Sequence, residues 1–307
     1  MKTRLDLLLL LVALLTGALF TGNASVVGYV NVTFEPGLNM TANPLRNGND
    51  RINDVLSSMP EGTVVWRFDS NTQYYKDAIT YFPGYGWFPA SGDTNDLILP
   101  PGVGFFVLVP QRVTNTYVGE VLEGSLTNPI PANYSLKASM IPQAGLLQTH
   151  LGFKAVQADK VWRWSAGSQQ FIPSPPHQYS ANAWLPPAGE PSINVAESFF
   201  VHRDPALALP SNWWIRNFTV QLAASSPSPS PLDTSGAATA NELPILKASV
   251  RDGKIALNIL NSSGGSFRVQ HSPDQVHWTT VDSDLTGSDW TGALPANERG
   301  YYRAIQP

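Results

Sequence analysis

The sequence predicts an all-β protein. We read two tandem duplicated β-domains, sandwich or barrel-like, followed by a small C-terminal antiparallel β-sandwich module. Three observations carry this. Apolar and polar residues alternate over short runs bounded by Pro and Gly, the period-2 signature of strands. Blocks of residues recur in the same order roughly 95 positions apart, a domain-sized period rather than a short solenoid repeat. Helix signals are confined to one clear segment, Asp50 to Met59, where Asp50 is placed to cap and Pro60 with Gly62 to end it. A weak counterpart falls near Leu147 to Phe153.

The 307 residues include 26 Pro, 24 Gly, 9 Trp and no Cys. Charged residues make up 14%, well below the roughly 25% of an average globular domain. Hydrophobic residues make up 43%, enough to bury real cores. Without Cys there are no disulfides, thiolate metal sites or Cys nucleophiles. Lys and Arg number 19 against 23 Asp and Glu, a formal charge of −4. Nothing is in excess to neutralise phosphates, so nucleic acid is not an expected partner.

At the N-terminus, Lys2 and Arg4 precede the apolar run Leu7 to Phe20, and small polar Thr21-Gly22-Asn23-Ala24 comes next. The run is shorter than the roughly 20 residues that span a bilayer. Residues 1–24 therefore read as a secretory signal peptide cleaved after Ala24, with no membrane span once it is removed. The expected location is exported: extracellular, cell-surface or periplasmic. An exported chain without Cys also points to a bacterial source.

Five matched blocks organise the chain from residue 25 to residue 222. Val27-Gly28-Tyr29-Val30 is matched by Val118-Gly119-Glu120-Val121, and Leu38–Asn43 by Tyr134–Ser139. Val64–Phe68 is matched by Lys160–Trp164, Gly86–Pro89 by Ala183–Pro186, and Gly104–Val107 by Ser198–Val201. These define repeat 1 over residues 25–113 and repeat 2 over 114–222. In the third block Trp66 and Phe68 share one strand face and Arg67 takes the other. Trp162 and Trp164 do the same around Arg163. The unbroken apolar run Gly104 to Val109 predicts a strand buried on both faces, entered through a turn at Pro100-Pro101-Gly102.

Residues 223–242 alternate Ser with Pro and then turn small and polar, the composition of an extended linker. Beyond it, residues 243–307 carry four alternating runs around Ile255, Phe267, Trp278 and Tyr301. A unit of about 65 residues is marginal alone, so Trp278 and Trp290 are expected as core anchors.

Gly37-Leu38-Asn39-Met40-Thr41-Ala42-Asn43-Pro44 and Pro101-Gly102-Val103-Gly104-Phe105-Phe106-Val107 resemble signature strands of uncharacterised secreted tandem β-domain proteins of the Verrucomicrobia/Planctomycetes type. The tail, with Phe267–Asp274, His277-Trp278-Thr279 and Tyr301-Tyr302-Arg303, is similar to a small C-terminal β-sandwich module of those groups; Gln275-Val276 departs from its usual Leu-Val. The resemblance covers nearly all of the chain after residue 24. Its motifs are structural, and it implies no activity and no catalytic residues.

Motifs that carry chemistry are mostly missing. No pair among His150, His177, His202, His271 and His277 has zinc-type helical spacing, and H-E-x-x-H is absent. No G-x-S-x-G, P-loop or G-x-G-x-x-G occurs. Glu61, Glu120, Glu123, Glu190 and Glu197 are available to a glycosidase, but spacing selects no pair. Glu197 aligns near Val103, so the two copies do not share it. The cluster Asn47 to Asp54 has oxygen ligands for Ca²⁺ but no closing Glu, and reads as a loop with a helix cap. No catalytic residue, metal or cofactor is expected.

The tryptophans remain. Trp66, Trp162, Trp164, Trp278 and Trp290 fit core positions. Trp87 and Trp184 lie beside Pro-rich turns, and Trp214 is adjacent to Trp213 with the opposite strand face. These three are the candidates for stacking on a ligand. The expected function is a non-enzymatic binding or structural role at the envelope, with extracellular polysaccharide or envelope proteins as partners. The alternative is a carbohydrate-binding accessory protein or weak glycoside hydrolase.

Overall fold

The computed structural model describes residues 25–89, 97–207, 212–220, 245–260, 266–295 and 299–305. Residues 1–24 and the linker 223–242 lie outside them. The fold is all-β.

The first stretch contains β1 (Val26–Phe34), β2 (Gly37–Ala42), one short helix α1 (Ile52–Val55), β3 (Val64–Asp69), β4 (Tyr74–Tyr75), β5 (Ile79–Phe82), β6 (Gly86–Pro89), β7 (Gly104–Val109) and β8 (Val113–Glu120). The second contains β9 (Gly124–Pro129), β10 (Asn133–Ala138), β11 (Gly145–Leu146), β12 (Lys160–Ser165), β13 (Gln170–Ser180), β14 (Ala183–Trp184), β15 (Ser192–Ile193), β16 (Ser198–Arg203) and β17 (Trp213–Phe218). The last contains β18 (Ile245–Arg251), β19 (Lys254–Leu260), β20 (Phe267–Ser272), β21 (Thr279–Leu285), β22 (Asp289–Ala293) and β23 (Arg299–Ile305).

Two sheets share one strand order. The first runs β2-β7-β3-β5-β6 with β4 paired to β3, and the second runs β10-β16-β12-β13-β14. Four of the five matched blocks occupy matching places in these sheets. The fifth does not: Val118–Val121 begins at the end of β8, which pairs with β1 itself, Tyr29 opposite Val118. Gly104–Val109 is buried on both faces as expected. Phe105, Val107 and Val109 enter the core of the first sheet, while Phe106 enters a second cluster on the other side.

The expected helix shrinks to α1. Asp50 is not its cap; it has φ 52° and its carboxylate turns back to accept from the Asn47 amide and the Asn43 side chain. Residues 147–151 form a hydrogen-bonded turn rather than a helix.

The C-terminal segment does not stand apart. Its strand β23 pairs with β1, giving a sheet β21-β20-β23-β1-β8. Alternation along β1 explains how this sheet is buried twice. Val26, Val30 and Phe34 pack with the first sheet, together with Tyr117 and Tyr301. Val27 and Tyr29 face the other way, onto Leu246, Ile255 and Leu257 of the sheet β18-β19-β22. The segment thus completes its sandwich with two strands from the first stretch, which a unit of its size needs. The Tyr301 hydroxyl donates to the Pro142 carbonyl at 3.1 Å, tying β23 to the second stretch as well. Trp278 and Trp290 pack half-buried against these two cores, as expected of anchors.

Candidate functional site

The two like-ordered sheets meet face to face along an aromatic seam. Met40 on β2, Phe106 on β7, Leu136 on β10 and Phe200 on β16 are buried in it. Leu38, Trp66, Phe68, Trp162 and Trp164 pack half-buried around them. The strand period puts these residues here. Trp66 and Phe68 share the seam face of β3, and Trp162 and Trp164 that of β12.

Contacts across the seam are reciprocal, as across a two-fold axis. The Ala42 amide donates to Ala196 O at 2.9 Å and the matched Ala138 amide to Gly102 O at 3.1 Å. Bridges join Thr41 to Glu197 and Val103 to Lys137. Gln169 accepts from the Leu38 amide at 2.8 Å and donates to Leu38 O at 3.0 Å. Gln73 treats Tyr134 the same way, at 3.0 and 2.9 Å. Both glutamines lie at positive φ, 63° for Gln73 and 53° for Gln169. The rings repeat the pattern: Phe68–Phe200 centroids are 5.1 Å apart and Trp164–Phe106 5.4 Å, both edge to face.

Two open cavities flank the seam. One of about 380 Å³ is lined by Leu38, Trp66, Tyr75, Phe106, Trp164 and Phe171. The other, of about 720 Å³, is walled by Phe68, Tyr134, Trp162 and Phe200, with Gln73 and Asn133 at its polar side. They adjoin, since Tyr75 and Phe171 line both. Tyr75 is 48% exposed, and Phe171 and Tyr134 are exposed too. Contiguous exposed rings of this kind mark interaction sites. The Trp164 indole donates to Leu38 O at 2.8 Å. Those of Trp66 and Trp162 have no hydrogen-bond partner among the described residues.

The stacking candidates read from sequence are elsewhere. Trp87 is 5% exposed, in the first core against Tyr81. Trp214 is 4% exposed, in the second core, and donates to Leu151 O. Trp184 is half-buried against Tyr179, with its indole nitrogen enclosed. A Pro-rich turn beside a tryptophan does not mean exposure here, because β5–β6 and β13–β14 fold their rings inward. Conversely, Trp66, Trp162 and Trp164, which fit core positions in the sequence, line the open cavities.

Three of the five candidate carboxylates are held structurally. Glu197 accepts both guanidinium bonds of Arg163, at 2.6 and 3.0 Å. Glu190 accepts from the Gln148 and Thr149 amides, and Glu123 from the Val220 amide. None of the five lines either aromatic cavity. Among the described residues no group of three or more His, Asp or Glu is placed to hold a metal. No family model and no curated protein matches the chain.

Proposed function

We propose that this is a non-enzymatic binding protein of the cell envelope and that its aromatic seam receives a saccharide chain. The observation that carries the reading is the pair of adjoining open cavities walled by ring faces. A sugar ring presents a flat C–H face that stacks on such rings, and rim oxygens that accept hydrogen bonds from indole N–H groups. Trp66 and Trp162 hold such donors without a partner among the described residues. The glutamine amides at the seam are spent on backbone, so ring stacking dominates recognition. That Glu123, Glu190 and Glu197 are tied into the scaffold supports binding over hydrolysis. Export rests on residues 1–24 alone, and the reciprocal seam supports reading the two halves as copies of one another.

The test is a titration of the mature chain with a panel of neutral oligosaccharides, read by tryptophan fluorescence and calorimetry. Tyr75→Ala and Phe171→Ala remove exposed rings shared by both cavities. Each is expected to weaken binding about tenfold, ~1.4 kcal/mol, with an unchanged melting temperature. A panel without binding sinks the saccharide reading. Hydrolysis of a bound glycan, lost on replacing one carboxylate, sinks the non-enzymatic one.

A further inference from the structure

Beside the seam lie two smaller pockets at matched places, and their chemistry differs. In the second half, Arg163 sits on the carboxylate of Glu197, which also accepts from the Asn194 amide and side chain at 2.9 Å. Cation and anion are balanced within the chain. In the first half Arg67 matches Arg163, but Val103 stands where the second half has Glu197. Across the bridge from Val103, at the place that Thr41 takes beside Glu197, the chain puts Lys137. The first-half pocket, about 280 Å³, thus lacks an acid at this position and gains a lysine, while Asp69 lies elsewhere on its lining.

Two donors in this pocket lack partners. Lys137 is 7% exposed and makes no ion pair among the described residues. Ser135, two residues earlier on the same face of β10, is 1% exposed, and its hydroxyl has no hydrogen bond. A buried ammonium and a buried hydroxyl left unsatisfied each carry a desolvation cost that a suitable ligand relieves. Arg67, Asp69 and Lys76 are the other charged groups that line the pocket. The Asp69 carboxylate accepts from the Asn71 amide at 2.8 Å.

We propose that this pocket binds a carboxylate, held by Lys137 Nζ and Ser135 Oγ. Phe68 walls both this pocket and the larger aromatic cavity. The carboxylate is therefore that of a uronic acid unit in the chain lying on the seam, an assignment that rests on the saccharide reading above. Burial alone holds the Lys137 amine down to about 8. A carboxylate beside it favours the charged form, so binding takes up protons near that pH.

The experiment compares neutral galactose oligomers with galacturonate oligomers of equal length, and with monomeric galacturonate, on the mature protein and on Lys137→Met and Ser135→Ala. The acidic oligomer is expected to bind at least about tenfold more tightly than the neutral one at pH 7. The preference fades above about pH 8 and is lost in Lys137→Met, while the neutral oligomer binds that variant as before. Ser135→Ala reduces the preference severalfold without abolishing it. Equal affinity for acidic and neutral oligomers overturns the carboxylate site and leaves the seam reading intact. Binding of neither overturns the seam reading itself. Monomeric galacturonate binding as tightly as its oligomer overturns the assignment to a unit within a chain.

Discussion

Lys137→Met is expected to stabilise the protein, although it deletes a charge from a chain with few. The lysine side chain is buried, with burial the only cause acting on its amine, which falls from the ordinary 10.5 to about 8. Keeping that amine charged in the folded state therefore costs about 3 kcal/mol at pH 7, taking 1.36 kcal/mol per pH unit. Met matches the lysine stem in length and carries no charge, so packing is largely kept. The sign of the pH effect comes from the lowered value. Between about pH 8 and 10.5 the unfolded chain holds a proton that the folded chain has released. The wild type therefore gains stability as pH rises through that window. Below about pH 8 both states hold the proton and this group adds no slope. The variant lacks the window. Urea unfolding at pH 7 should show Lys137→Met more stable by up to about 3 kcal/mol, with the difference shrinking toward zero by about pH 10.5. Tyrosine ionisation at high pH affects both proteins and cancels in the difference. A variant less stable at pH 7, or a gap independent of pH, would refute the claim that Lys137 is an unrelieved buried cation.

Two further outcomes test the scaffold. Gly104→Ala should cost about 1–3 kcal/mol in urea unfolding, because a Cβ there would lie 2.6 Å from Ser198 Cβ and 2.7 Å from Leu136 Cγ; an unchanged midpoint would mean the sheets do not meet that closely. A chain ending at residue 222 strips β23 from β1 and removes Tyr301 from the first core. It should be aggregated or uncooperative, since a long unpaired strand edge is a template for association. A soluble fragment with a single sharp melting transition would show instead that the C-terminal segment is dispensable for the rest.

The β class is legible because alternation is a local signal, and the strand faces of Trp66 and Phe68, or of Trp162 and Trp164, come directly from it. What covers each face is not legible. A period of two says that neighbouring residues face opposite ways; it does not say which side meets a second sheet and which meets solvent. Hence the tryptophans of β3 and β12 read as core, and they do pack against the seam cluster, but the open cavities they also line are not legible. Trp87 and Trp214 read as ligand-facing although hairpin pairing and the Phe153 and Phe199 rings enclose them. The union of β23 with β1 leaves no trace either, because partners some 270 positions apart share no local pattern.

The carboxylate pocket shows a different kind of limit. Its decisive contrast, Val103 in one half against Glu197 in the other, is visible in the sequence. It counts there only against a shared catalytic acid. A lysine in an alternating strand ordinarily reads as the solvent face, and nothing local distinguishes Lys137 from such a residue. Only the bridge that sets Val103 beside Lys137 joins the two differences into one site. Between the two like-ordered sheets, then, a pair of differences that meet at one bridge says more about this pocket than either residue alone. Glu197 answers Arg163 within one pocket, whereas Lys137 and Ser135 in the other have no such partner among the described residues, and that is what the proposed carboxylate supplies.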